Sequence, residues 1–256
     1  MQQLPLGVSD FSYLRNPAKD YLYVDKTDLL QSMIARSKLI FLTRPRRFGK
    51  SLLVSTLSEL FANGVEKFAG LKIERTWEDR TYKVIKLDFS RLMGNDSIEG
   101  FLQALDDRLV LNMEEAGFDA PKTERLDPVL RWEKFLSSLK EDSIVLLVDE
   151  YDAPLTEKLH QPDLFEKIRN VISNFFGALK TYSGRFRFVF ITGIMRFPQA
   201  ALFSNFNDIR DISFMTLYGG LLGFTEAELK SSFAPWIEHA AAVRGEAFES
   251  VLKLSL

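Results

Sequence analysis

The sequence predicts an α/β fold, a parallel sheet flanked by helices with a short helical segment at its C-terminal end. Three observations carry this. Lys38 to Leu42 is a short apolar run that ends in a basic turn and Gly49-Lys50-Ser51, and apolar residues recur at helical spacing from Ser51 to Phe61. Ser143 to Val148 is a second continuous apolar run, rich in β-branched residues, that ends in Asp149-Glu150. Two further runs, Lys83 to Ser90 and Arg187 to Gly193, are separated by helical patterns, as in sheets whose strands are buried on both faces.

The first run has a chemistry attached. A strand, a tight loop and a helix form a concave site in which consecutive backbone N–H groups and the helix N-terminus attract phosphate. In that reading Arg46, Arg47, Phe48, Gly49, Lys50, Ser51 and Leu52 hold a nucleotide. Lys50 reaches the β- and γ-phosphates, and Ser51 places its hydroxyl on Mg²⁺. The match to G-x-x-x-x-G-K-[ST] is incomplete, because Arg44 stands at the first glycine position. A glycine turn into a helix with a solvated lysine is the alternative. The downstream acids weigh against it: Asp149 is placed to hold Mg²⁺ through a water, and Glu150 to polarise an attacking water. Both motifs end apolar strands, and ligands of such sheets bind outside the carboxyl ends of the strands.

Composition sets the outer limits. With 256 residues, 46% hydrophobic and 27% charged, the chain can build one large α/β domain and a small appendage. A net charge of −2 supplies no global basic field for nucleic acid, although a local groove stays open. Of Arg44, Arg46 and Arg47, at least one is expected to face phosphate and the others to pair with carboxylates or a partner. Cysteine is absent, which excludes disulfides and thiolate chemistry, and two histidines, His160 and His239, argue against a histidine-rich metal centre. Met1 to Gly7 lack the features of a secretory leader, and no apolar run reaches membrane-spanning length. The expectation is a cytoplasmic protein without a membrane partner.

In chain order, Tyr21 to Thr27 precedes a short helix from Asp28 to Ile34 and either packs over the base of a nucleotide or closes the sheet edge. Asn63-Gly64 ends the helix after the loop, and Val65 to Asp79 is an irregular or partly helical connection carrying Trp77. Asp88 and Ser90, at a strand end, serve as caps or lie near the site. Helices are predicted over Ser97 to Ala116, Val129 to Leu139 and Asp163 to Tyr182. The order of strands resembles the additional-strand class of P-loop proteins, in which the strand after the Asp-Glu strand inserts beside the loop strand. That arrangement would turn Thr192 or Arg196 toward the γ-phosphate, Arg196 being the better candidate because a guanidinium neutralises developing charge. Ala200 to Phe214 holds a polar turn and a fifth strand. Thr225 and Glu228 have capping-box spacing for a helix running to about Val243, and Ala247 to Leu256 is a last helical piece.

The residues resemble the bacterial and archaeal AAA-ATPase-like proteins, whose ATPase domain commonly precedes a PD-(D/E)XK nuclease-like domain. The resemblance covers most of the chain. It lies in Gly7 to Phe11, Tyr23 to Thr27, Arg44 to Ser51, Leu87 to Ser90, Asp149 to Leu155, Leu202-Phe203-Ser204 and Gly223-Phe224-Thr225. That family has Arg-Pro-Arg-Arg in place of the first glycine, so Arg44 fits it. The resemblance implies a P-loop NTPase fold, ATP and Mg²⁺ as cofactors, and the nucleotide and metal roles given above for Lys50, Ser51, Asp149 and Glu150. It implies an ATPase domain over residues 1–224 and the start of a helical lid or linker over 225–256. Any nuclease chemistry would lie outside this polypeptide or be missing from it. The expected function is ATP binding and hydrolysis coupled to a protein partner or a further domain. The alternative is a nucleotide-binding interaction module with negligible hydrolysis. A small-molecule kinase is disfavoured, since Glu150 beside Asp149 suits activation of water.

Overall fold

The computed structural model describes residues 2–197 and 209–255. Its centre is a parallel sheet of five strands, β1 (Leu39–Thr43), β2 (Lys83–Asp88), β3 (Ile144–Asp149), β4 (Phe186–Gly193) and β5 (Arg210–Asp211), in the order β2-β3-β4-β1-β5. β4 therefore stands between the Asp-Glu strand and the loop strand, as the additional-strand class requires. Ladder register aligns Thr43 with Gly193 and Asp88 with Asp149, which brings the carboxyl ends of the strands to one edge.

All six residues of β3 are buried, and the two-residue period of the strand divides them between two cores. Ile144, Leu146 and Val148 face α4 (Ile98–Glu115), α5 (Pro128–Ser138) and α7 (Pro162–Thr181), where Trp132, Phe175 and Phe176 are fully buried. Val145 and Leu147 face the opposite layer with Leu57, Leu60 and Phe61 of α3 (Lys50–Asn63) and Met33 of α2 (Thr27–Arg36). Burial of one such Leu or Phe side chain contributes about 1.5–3 kcal/mol, so the sheet is anchored from both sides.

Helix ends follow their local chemistry. Ser97 caps α4 by accepting from the Gly100 N–H, Asp127 caps α5 ahead of Pro128, and α3 ends at Gly64 with φ of 70°. The connection after α3 is two short 3₁₀ turns, with the Trp77 ring 5.5 Å from Phe61. A one-turn helix, α1 (Phe11–Leu14), and another, α6 (Ala153–Glu157), complete this part.

The C-terminal stretch departs from expectation. A single helix from Thr225 to Val243 is replaced by α8 (Glu226–Ser232) and α9 (Ala234–Arg244), broken at Phe233. Pro235 explains the break, because its ring excludes a carbonyl one turn back and it has no N–H to donate. The Thr225–Glu228 capping box is present. With α10 (Phe248–Ser255), these helices share a small core of Leu229, Ile237, Ala241, Val251 and Leu252. The fifth strand is only Arg210–Asp211, paired with Ile40 and Phe41. The expected turn over 200–208, with Leu202-Phe203-Ser204, lies outside the described residues. Among the described residues no helix is long and apolar enough to cross a membrane.

Candidate nucleotide-binding site

The loop after β1 is shaped by two left-handed residues, Arg47 with φ of 67° and Gly49 with φ of 86°. Glycine adopts that conformation freely, whereas an arginine there stores local strain. Between them the backbone bends so that α3 starts at Lys50. Arg46, Arg47, Phe48 and Gly49 are exposed, while Lys50 is 5% exposed and donates from Nζ to the carbonyls of Arg44 at 3.0 Å and Pro45 at 2.9 Å. Arg44 is turned the other way. Its backbone N–H donates to the Gly193 carbonyl, and its guanidinium donates to the carbonyls of Thr43 and Ser213. It therefore bonds to backbone carbonyls, and not to the phosphate face or to a carboxylate, and ties the loop to the chain after β5.

The acids lie beside this loop. Asp149, 7% exposed, accepts from the Glu150 N–H at 3.1 Å, and the nearby Ser51 side chain favours its ionised form. Burial pushes its carboxyl above the usual aspartate range, and nearby Asp88 adds to the effect. Glu150 has left-handed φ of 50°, and its carboxyl is likewise raised by burial, then by Asp149 and Asp88. Burial pushes the Lys50 ammonium down, against the pull of Asp149, Glu150 and Asp152. Asp88 is a cap: one of its oxygens accepts from the N–H and the hydroxyl of Ser90. Its charge still reaches the site, so both sequence-based alternatives hold.

Mg²⁺ fits this donor set. It is usually held by one or two carboxylates, a hydroxyl, waters and the substrate's phosphates, not by a closed protein cage. Among the described residues no cluster of three or more His, Cys, Asp or Glu side chains forms such a cage. The Ser51 hydroxyl beside a buried Asp149, whose carboxyl burial holds above the usual aspartate range, would offer such an open arrangement.

A cavity of about 740 Å³ opens from the loop. Residues 46–52 and Glu150 line it, together with Val8, Tyr23, Val24 and Lys26. The segment before α2 thus borders the cleft, as the base-packing alternative requires. Asp25 does not line it; its carboxylate accepts from the N–H and hydroxyl of Thr27 and from the Lys72 N–H. Leu221, Leu222, Phe224 and Phe233 also line the cleft, Phe224 from the Gly223-Phe224-Thr225 stretch. Arg196 is not among the lining residues. It forms a salt bridge with Asp211 at 2.9 Å and lies over the Phe214 ring. Thr192 is fully buried, and its hydroxyl lacks a hydrogen-bond partner.

A parallel sheet with an inserted strand, a lysine-bearing loop and two acids at its carboxyl edge define a P-loop NTPase-like protein. A family model described as predicted AAA-ATPase, AAA-ATPase_like, matches residues 5–203, and the chain belongs to that family. Nucleotide binding is the general property this membership implies. A relative from Azotobacter chroococcum mcd 1, described as an uncharacterized protein in vnfD 5'region, is 33% identical over 240 residues. The match covers 91% of this chain and 45% of that protein, so the chain spans about half the length of its curated relative.

Proposed function

We propose that the cleft binds ATP with Mg²⁺ and hydrolyses it, and that nucleotide state is passed to a protein partner or a nuclease-like domain. The observation that carries the reading is the convergence of Lys50, Ser51, Asp149 and Glu150 where β1 and β3 end. In this reading Lys50 exchanges its two carbonyl acceptors for phosphate oxygens. Ser51 and Asp149 would hold Mg²⁺, which supplies charge neutralisation when bound. Glu150 would take the proton of the attacking water, a role its raised pKa favours. The apolar lining residues, among them Val8, Tyr23 and Val24, would take the base. We read residues 1–224 as the nucleotide-binding unit and 225–256 as a helical lid or linker, a division supported by the separate core of the last three helices. Measuring ATP affinity and phosphate release with and without Mg²⁺ tests the proposal, with Lys50→Ala as the control.

One observation favours a second reading, a binding module with negligible hydrolysis. Arg196, the sequence's candidate for neutralising transition-state charge, is engaged by Asp211. Saturable ATP binding without phosphate release would support that reading.

A further inference from the structure

Asp149-Glu150-Tyr151-Asp152 contains two residues to which the nucleotide chemistry gives no task. Asp152 is 1% exposed, and its carboxylate faces the loop that leaves β4. Both its oxygens accept from the Ile194 N–H at 3.1 Å, and Oδ2 accepts from the Met195 N–H at 2.6 Å. Tyr151 donates its hydroxyl to the Met195 carbonyl at 2.8 Å and accepts from the Phe197 N–H at 3.2 Å. Its own backbone N–H donates to the Thr192 carbonyl at 3.0 Å. The fit leaves no room for a side chain at position 193: a Cβ on Gly193 would overlap Asp152 Oδ1 and lie 2.6 Å from the Tyr151 ring.

The position of this clamp in the chain gives it meaning. It begins one residue after Glu150, and it grips the residues on both sides of Arg196. A buried carboxylate is costly unless hydrogen-bonded, and here its partners are the amides of a single loop. We propose that Tyr151 and Asp152 are positioning residues that lock the Glu150 turn and the loop Gly193 to Phe197 into one rigid unit. The unit sets where Arg196 stands relative to the phosphate end of the cleft. It carries a nucleotide-dependent change at Glu150 to Arg196 and to its partner Asp211 on β5. This inference rests on the reading of the cleft as an ATP site.

Two substitutions test it. Asp152→Asn keeps the size but presents one acceptor oxygen in place of two. Tyr151→Phe keeps the ring in the core and removes only the hydroxyl. Amide hydrogen exchange at residues 194–197 is followed with and without Mg·ATP, beside ATP affinity and steady-state turnover. In the nucleotide-free Asp152→Asn protein, exchange at Ile194 and Met195 should be about tenfold faster or more. ATP affinity should stay within about threefold of wild type while kcat falls about tenfold or more at unchanged KM. Protection of 194–197 on adding Mg·ATP, expected in the wild type, should disappear in both variants. If Asp152→Asn does not fold, Tyr151→Phe decides alone through the same readouts. Unchanged exchange in the folded variants would overturn the clamp. Faster exchange with wild-type kcat and wild-type nucleotide response would overturn its positioning role. A wild type that binds no ATP fails the reading of the cleft instead, a failure separate from these.

Discussion

The ammonium of Lys50 rests on the carbonyl of Arg44, with Nζ 3.0 Å from the oxygen. A second bond to Pro45 at 2.9 Å holds the basic group inside its own loop. Those acceptors are neutral, and a phosphate oxygen is not. The ammonium's bonds to the carbonyls are already charge-assisted, and a phosphate oxygen would add the attraction between opposite charges, which favours exchange of the carbonyls for an arriving nucleotide.

Lys50→Ala should therefore weaken ATP binding by about 100-fold, equivalent to about 2.7 kcal/mol. The fold should persist, since the lost bonds are internal to an exposed loop. Equilibrium titration with ATP, alongside thermal melting, checks both halves. Micromolar affinity in a folded variant would sink the assignment of the loop.

Asp149 and Glu150 should fail differently. Glu150→Gln keeps shape but cannot accept a proton, so ATP should still bind while phosphate release falls by about 10²–10⁴-fold. Asp149→Asn should weaken the Mg²⁺-dependent part of binding. Turnover unchanged in Glu150→Gln would remove Glu150 from the chemistry.

The same acids make a pH prediction. Burial raises the Asp149 pKa above its ordinary value of 3.8, so between that value and the raised one the folded state holds more protons than the unfolded state. Stability then falls as pH rises through that window, and the ionised carboxylate is a burden on the nucleotide-free protein at neutral pH. Asp149→Asn should therefore raise the melting temperature at neutral pH. The gain should shrink as pH falls toward the ordinary aspartate range. A lower melting temperature in Asp149→Asn at neutral pH would contradict it.

The three arginines of the loop are predicted to separate. Arg44 bonds to Thr43 and Ser213, so Arg44→Ala should cost stability, about 1.5–3 kcal/mol for hydrogen bonds to a charged group. Arg46 and Arg47 border the cavity, and their joint replacement by Ala should lower ATP affinity with little effect on melting. DNA titrated at two salt concentrations tests the rival. Tight, salt-sensitive DNA binding that Arg46→Ala abolishes at unchanged ATP affinity would make the cluster a nucleic-acid contact.

How much of this was legible depended on the range of the interaction. Ser143 to Glu150 could be read because a strand buried on both faces needs an unbroken apolar run, and the place of β4 beside β1 followed from the resemblance to the additional-strand class. β5 could not be sized, since two residues carry no period. The break at Phe233 was signalled by Pro235, but the capping box at Thr225 drew the reading through it. The stretches holding Asp152 and Phe224 could be singled out, but what each packs against could not, because the contacts join residues far apart in sequence, as Lys26 and Glu228 are. No window along the chain contains them.

Lys26 and Glu228 offer the remaining prediction. Lys26 Nζ lies 2.8 Å from Glu228 Oε2, donates also to the Gly220 carbonyl and stands 5.9 Å from the Phe224 ring centroid. One residue lines the cleft and the other stands in the first turn of α8, so the pair ties the start of α8 to the cleft wall. Both side chains are largely buried, at 12% and 25% exposure, which places the pair between a weak surface bridge and a costly buried one. Burial pushes the Glu228 carboxyl up, but the bonds from Lys26 and Thr225 outweigh it and hold it below the usual glutamate range. Such a depressed acid stabilises the fold above its unfolded pKa, and the contribution is lost as pH falls through the folded value. Glu228→Gln preserves the capping box with Thr225, because Gln serves there as well as Glu, and removes only the charge. Lys26→Met removes the other partner. A double-mutant cycle should give a coupling of about 1–2 kcal/mol, as for residues in direct contact. In stopped-flow experiments with a fluorescent ATP analogue, either variant should release nucleotide about tenfold faster with little change in association, since interface changes act mostly on dissociation. Equal dissociation rates in wild type, both single variants and the double variant would show that the cleft holds nucleotide without this pair.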